Sequence, residues 1–314
     1  MATLLTGSGY IGAALLRRLA ARGEPVVVLE NFFCTPRSDV AAALPSGTCL
    51  IEGDVAEARD VARAFDALGP HGEQPHVVFH LAAQPSASVA AKDPELTERS
   101  NLVGARRVLE AAHARGARVV FGGSFRVYGD ELVGQTIDEH TPYGRVGDLS
   151  HLSKVYTEQL ARMLEVAFVS VRLGVTYGRS PIMKTSPPFM TVPNLFCQRA
   201  ARGEVLEVRV DRPMGFIHVQ DAADALLRAA ETRSPSVWTV VNAAPEVATI
   251  GQVARTVQQL IQRRGGAVQI QGAASSEAGF AVHSALADDG FTPQRTLASG
   301  LGEVLDLFLA NPHQ

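Results

Sequence analysis

Gly7-Ser8-Gly9-Tyr10-Ile11-Gly12 follows an apolar run at Ala2–Thr6 and opens a helical stretch over residues 11–21. That stretch puts Ile11, Leu15, Leu16 and Leu19 on one face, with Arg17, Arg18 and Arg22 off it. The segment therefore reads strand, glycine turn, helix, the order in which G-x-G-x-x-G holds a pyrophosphate. Gly7 permits the tight turn, Gly9 lets the backbone approach phosphate, and Gly12 lets the helix pack on the strand. The helix N-terminus adds unpaired N–H groups and the positive end of its dipole. Glu30 ends the next apolar run, residues 25–30, close to the ~20-residue offset at which an acidic side chain meets a ribose diol. Its carboxylate would repel a 2′-phosphate, so the segment predicts NAD in preference to NADP.

Outward from this loop the chain alternates strand-like and helical stretches. Residues 48–51, 76–81, 118–121 and 168–173 read as strands; residues 55–68, 95–115 and 150–165 read as helices. Such alternation predicts an α/β fold, a doubly wound parallel sheet of the Rossmann type with helices on both faces. The uninterrupted apolar runs PVVVL and HVVF fit strands buried on both sides. From about Tyr177 prolines break the rhythm; residues 215–219 and 237–242 read as further strands of the sheet, and 250–264 and 296–310 as helices. The expected division is a cofactor domain over residues 1–175, with contributions from about 210–245, and a smaller lobe over 176–209 and 246–314.

Composition narrows the class. Of 314 residues 46% are hydrophobic and 19% charged, a globular balance. A net charge of -3 gives no electrostatic reason to expect nucleic acid or an anionic membrane. No apolar run approaches the ~18 residues of a membrane span, and no basic leader opens the chain. Cys34, Cys49 and Cys197 neither pair nor stand at metal-ligand spacing, which predicts a reducing, cytoplasmic setting without a metal.

With these segments in hand, the chain resembles the extended short-chain dehydrogenase/reductases, in the nucleotide-sugar epimerase/dehydratase branch that includes UDP-galactose 4-epimerase. TGSGYIG at 6–12 is similar to that family's T-G-x-x-G-[FY]-I-G, one residue shorter. HLAAQPS at 80–86, FGGSFRVYGD at 121–130, SKVYTE at 153–158, VRLGVTYG at 171–178, VPNLF at 192–196 and GFIHVQDAADAL at 215–226 continue the series in order. The resemblance implies NAD as cofactor, held by Gly7, Gly9, Tyr10, Ile11 and Gly12, by Glu30 and Asn31, and by Asp54 and Val55 beside adenine. It adds Leu81, Ala82, Ala83 and Gln84 along the ribose, Asn101, and Lys154. It implies a small-molecule substrate, a nucleotide sugar, met by Ser86, Arg126, Asn194 and Arg212, the last standing in for the arginine expected where Met214 lies. It also implies a homodimer packed through the helices at 95–115 and 150–165, on Val103, Ala111, Val155 and Ala161.

The family's chemistry rests on Ser/Thr, Tyr and Lys. Ser124 holds the first position and Lys154 the last; Lys92, Lys154 and Lys184 are the only lysines, so a lysine at this place is a specific signal. The tyrosine four residues before Lys154 is replaced by Ser150. An alkyl hydroxyl is a far weaker acid than a phenol and reaches less far. Three explanations stand open. Tyr143 folds back into the site; His151 supplies the proton, which requires that the helix begin beside it; or redox turnover is absent. The positions after Ser124 are Phe125 and Arg126, without the acidic residue the family's dehydratases and decarboxylases place there. The leading reading is NAD-dependent epimerisation or oxidoreduction of a nucleotide-linked sugar or polyol. The alternatives are an NAD-binding protein without turnover and a non-redox lyase or isomerase.

Overall fold

The computed structural model describes residues 2–69, 76–232, 237–272 and 279–311. In chain order the strands of its two larger sheets are β1 (Ala2–Thr6), β2 (Val26–Glu30), β3 (Cys49–Glu52), β4 (His76–His80), β5 (Arg118–Ser124), β6 (Phe168–Leu173), β7 (Val175–Tyr177), β8 (Pro213–His218), β9 (Trp238–Ala243) and β10 (Glu246–Thr249). The principal helices are α1 (Tyr10–Ala21), α2 (Ala58–Asp66), α3 (Gly104–Ala114), α4 (Leu149–Met163), α5 (Val192–Ala201), α6 (Val219–Glu231), α7 (Ile250–Gln262) and α8 (Leu297–Ala310).

Seven strands form one parallel sheet in the order β3-β2-β1-β4-β5-β6-β9. β2 and β4 are buried along their whole length, because helices cover both faces. On one face α1 and α6 pack Leu15, Leu16 and Leu19 with Ala222, Leu226 and Ala229. On the other, α2, α3 and α4 contribute Phe65, Val108, Leu109 and Leu160. A separate core, with Phe196, Val253, Val257, Leu301 and Leu305, joins α5, α7 and α8 beyond the sheet. The order reverses beside β1, so a crevice opens past the carboxyl ends of β1 and β4.

Three expectations are corrected. The strand at 215–219 does not join the large sheet; β8 lies between β7 and β10 in a three-stranded sheet, since the edge of β6 is taken by β9. The helix at 95–115 is not regular: Pro94–Glu98 leads into a π turn at Arg99–Val103 before α3. A Cβ on Gly104 would stand 2.6 Å from Val55 Cγ2, so this glycine allows the close approach that follows the turn. The third concerns the dimer face. Ala161 is fully buried in the core, and Ala111 and Val155 pack against core clusters; of the four residues only Val103 is exposed.

Candidate active site

A cavity of about 580 Å³ fills the crevice. The glycine loop forms one end. Gly7 sits at φ +82° and its missing Cβ would fall 2.7 Å from Ala82 N, so this turn admits only glycine. A Cβ on Gly9 would meet only the Thr35 hydroxyl, at 3.3 Å, leaving the backbone open to the cavity. Ala13 N bonds Gly9 O at 2.8 Å, so the N–H groups of the preceding first turn have no intrahelical acceptor. Asn31, Val55, Leu81, Ala82, Ala83 and Gln84 line the same space.

Several side chains predicted here are held differently. Both Glu30 oxygens are occupied: Oε2 accepts from Ser8 N at 2.7 Å and Ser8 Oγ at 2.9 Å, and Oε1 accepts from the N–H groups of Asn31 and Phe32. In the shortened loop the Ser8 hydroxyl thus takes a place on Glu30 that a ribose hydroxyl would claim. Tyr10 lines the cavity, yet its hydroxyl donates to Gly178 O at 2.6 Å and accepts from Asn194 Nδ2 at 3.1 Å. Asn194 Oδ1 accepts from Gly178 N, so that amide braces α5 against the loop after β7. Asp54 does not line the cavity; its carboxylate accepts from Ala56 N and pairs with Arg99. Asn101 is also outside the lining, with its amide bonded to Gln84 N, Gln84 O and Ser153 Oγ. It positions the ribose loop against α4.

The middle of the cavity is the chemical centre. Lys154 Nζ donates to Gly122 O at 2.8 Å and lies 4.6 Å from the Phe121 ring. Burial presses its ammonium down to about 8, against the pull of Glu158. Ser124 ends β5, and its hydroxyl accepts from Arg126 N at 3.3 Å. Asp148 caps α4 in an extended conformation, so the helix begins at Leu149, one residue before the expected start. That early start turns both Ser150 and His151 to the cavity. His151 Nδ1 lies 2.8 and 2.7 Å from the two Asp148 oxygens, and Ser150 Oγ donates to Asp148 Oδ1 at 2.6 Å. Although burial works to raise it, the bonds from His151 and Ser150 hold the Asp148 carboxyl well below the usual range. Asp148 was not among the residues expected from sequence, though Asp three places before His at a helix start is a recognisable cap.

Tyr143 is a correction. It stands outside the lining, where its hydroxyl donates to Glu158 Oε2 at 2.8 Å and accepts from Gln159 Nε2. Burial and the Glu158 carboxylate raise its pKa to about 12, the wrong direction for a group working near neutrality.

The far end is cationic. Arg126 and Arg212 both pair with Asp130, and all three line the cavity. Arg212 precedes β8 rather than lying on it. Ser86 lines the cavity and caps the helix Ala87–Lys92 by accepting from Val89 N. Lys184, given no role by the sequence, also lines the cavity; among the described residues no hydrogen bond or ion pair reaches its Nζ, and burial lowers its pKa. Among the described residues no cluster of His, Cys, Asp and Glu is placed to hold a metal ion, and no helix is long and apolar enough to cross a membrane.

Comparison with known proteins agrees with this architecture. The profile of the NAD-dependent epimerase/dehydratase family matches residues 3–244. The chain belongs to that family. Among curated relatives, a UDP-N-acetyl-alpha-D-glucosaminuronate decarboxylase of Bacillus cytotoxicus is 27% identical, with 81% of this chain and 78% of the relative covered. UDP-glucuronic acid decarboxylase 2 of Arabidopsis thaliana is 26% identical over 81% of this chain; the match spans 56% of that longer protein. Among solved structures, the Thermus thermophilus UDP-glucose 4-epimerase in complex with NAD is 25% identical, covers 98% of this chain and 99% of its own, and superposes with a TM-score of 0.82.

Proposed function

We propose that the protein is an NAD-dependent enzyme that epimerises or oxidises a nucleotide-linked sugar by hydride transfer. The observation that carries this reading is the single cavity joining the glycine cradle to Ser124, His151 and Lys154, and these to Arg126 and Arg212. The residues fit the cofactor. The glycine turn is open where Cβ atoms would block it, and the unpaired N–H groups of α1 face a space suited to a pyrophosphate. Glu30, buried and with no cationic partner among the described residues, disfavours a 2′-phosphate. NAD, when bound, supplies a nicotinamide ring that takes and returns a hydride. Lys154 holds the nicotinamide ribose, Ser124 orients the sugar hydroxyl, and Arg126 and Arg212 face the nucleotide diphosphate. Lys184 adds a cation to the same field, and Ser86 faces the sugar. Phe125, buried against Tyr128 and Phe280, occupies the region where a carboxylate would serve dehydration or decarboxylation, which favours epimerisation or simple oxidoreduction. In this reading residues 1–175 with 210–245 carry NAD, and 176–209 with 246–314 close over the substrate.

The test is to mix the protein with NAD and, separately, with NADP, then add UDP-glucose, UDP-galactose or UDP-glucuronate and follow absorbance of the reduced cofactor. Tighter binding of NAD and reduction or interconversion with at least one sugar are expected; equal affinity for both cofactors, or no hydride transfer with any sugar, defeats the reading. Lys184→Ala is expected to weaken binding of a nucleoside diphosphate about tenfold, the worth of one charge-assisted hydrogen bond. Unchanged affinity in calorimetry would remove Lys184 from the anion site.

The homodimer is part of the same proposal. Val103, Leu152 and Met163 are 41%, 52% and 79% exposed on the π turn and α4, an apolar face that a second copy would cover. Sedimentation at micromolar concentration is expected to give twice the 33.4 kDa of one chain, and a mass of one chain would count against it. The three free cysteines fit a reducing compartment, the cytoplasm.

A further inference from the structure

We infer that the His151–Asp148 pair is the proton carrier of this site, taking the place of the missing tyrosine, with His151 Nε2 as the atom that exchanges the proton. This rests on the hydride-transfer reading above.

The geometry sets the roles. Asp148 grips Nδ1 with both oxygens, at 2.8 and 2.7 Å, which places a proton on Nδ1 and leaves Nε2 as the free base of the neutral ring. Among the described residues no hydrogen bond reaches Nε2, and His151 lines the cavity with Ser124 and Lys154. Asp148 is itself fixed by capping α4 through His151 N at 3.0 Å and by the Ser150 hydroxyl. Asp148 is half-buried, and a carboxylate placed so behind an imidazole orients the ring and fixes its tautomer.

The same distances settle what Ser150 does. Its Oγ donates to Asp148, and the nearest imidazole nitrogen is Nδ1, at 3.5 Å, the nitrogen that Asp148 already holds. An activated serine nucleophile needs its hydrogen bond on the opposite nitrogen. Ser150 is therefore a positioning residue, and the cluster is not a hydrolytic triad.

Nε2 accepts the proton of the sugar hydroxyl; the O–H bond breaks and an N–H bond forms. The electron pair left on oxygen would close the carbonyl as the carbon gives up its hydride, for which bound NAD would supply the two-electron acceptor. On the return, imidazolium gives the proton back to the carbonyl oxygen as hydride arrives. Charged groups near His151 include Asp148 beside it, Lys154 one turn along α4, and Lys184, which lines the same cavity and acts on Lys154. From the turn after β5 comes Arg126, 3.9 Å from Asp148 Oδ2, with Asp130 and Arg212 behind. Tyr128 of that turn is buried and bonded to Asn242 and Arg172.

The experiment compares the full chain with His151→Asn, Asp148→Asn and Ser150→Ala. His151→Asn retains an N–H for Asp148, and Asp148→Asn retains a helix cap. Three quantities are read: NAD affinity by equilibrium dialysis, the single-turnover rate of hydride transfer between pH 5.5 and 9 with the UDP-sugar that reacts fastest, and carbethoxylation of His151 by diethylpyrocarbonate, mapped by mass spectrometry. Expected are unchanged NAD affinity and a rate ~10²–10⁴-fold lower in His151→Asn, with loss of the acid limb of its pH profile. In Asp148→Asn the rate should fall as well, with NAD affinity unchanged, because the ring loses the carboxylate that fixes Nδ1 and aims Nε2. Ser150→Ala should fall only about tenfold. His151 of the unmodified protein should be carbethoxylated, and NAD with UDP-glucose should protect it. An active enzyme whose His151→Asn variant keeps its rate and pH profile overturns the dyad alone, as does a Ser150→Ala loss of ~10³-fold or more, or a His151 that stays unlabelled. A protein that binds NAD and transfers no hydride overturns the parent reading and this step together.

Discussion

Gly12→Ala is expected to abolish NAD binding while Gly9→Ala leaves the fold intact. A Cβ at position 12 would stand 2.1 Å from Gly7 O and 3.0 Å from Gly7 C, both backbone atoms. Neither can yield freely. Gly7 is held at positive φ against the Ala82 backbone, and its N–H bonds Leu29 O at 3.0 Å. The loop is one residue short, so it has no slack to absorb a displaced α1. Overpacking of this kind costs about 1–3 kcal/mol, and a shift of the cradle by about 1 Å costs on the order of 100-fold in function. The Gly9 Cβ meets only a side-chain hydroxyl, so Gly9→Ala should unfold at the normal urea concentration yet bind NAD poorly, because the methyl fills the approach to phosphate. Equilibrium dialysis and urea unfolding of both variants check this; a Gly12→Ala protein with ordinary NAD affinity would show that α1 can move without disturbing the loop.

Arg172→Met is expected to destabilise the protein by about 3–5 kcal/mol, the cost of leaving one buried ion-pair partner alone. Arg172 on β6 gives two hydrogen bonds to Glu158 on α4, at 3.2 and 2.7 Å, and a third to Tyr128 Oη at 2.6 Å. Both charges are almost fully buried, 3% and 0% exposed. Ser170 and Tyr143 complete the shell around Glu158, and Tyr128 continues to Asn242 on β9. Without the guanidinium, Glu158 is a carboxylate in apolar surroundings with only hydroxyl donors. Because Glu158 lies one turn beyond Lys154, the active-site face of α4 should loosen as well. The double variant Glu158→Gln/Arg172→Met should recover part of the loss, since the two residues act as one unit. Denaturant unfolding decides; additive losses in the double variant would mean that the two side chains do not depend on each other.

The alternation of apolar runs and helical periods determined the class of fold, because period and length distinguish a buried strand from an amphipathic helix without any tertiary information. The glycine loop was equally legible: its three glycines answer steric demands local to one turn. The place of His151 at the cavity was legible only as a condition on where α4 begins. Asp148 met that condition; its spacing from His151 marks a helix cap, but its grip on the imidazole comes only with the folded helix start. Tertiary packing alone decided the remainder. It placed β9 on the edge of the large sheet and left β8 in a smaller one, since strand partners are selected by sheet edges rather than by neighbours in sequence. It drew Tyr143 to Glu158 and away from the cavity, because a buried carboxylate recruits every donor within reach. It turned Asp54 and Asn101 from expected cofactor contacts into struts, and it brought Lys184, from a proline-rich loop with no periodic signal, to a cavity made by residues distant in the chain.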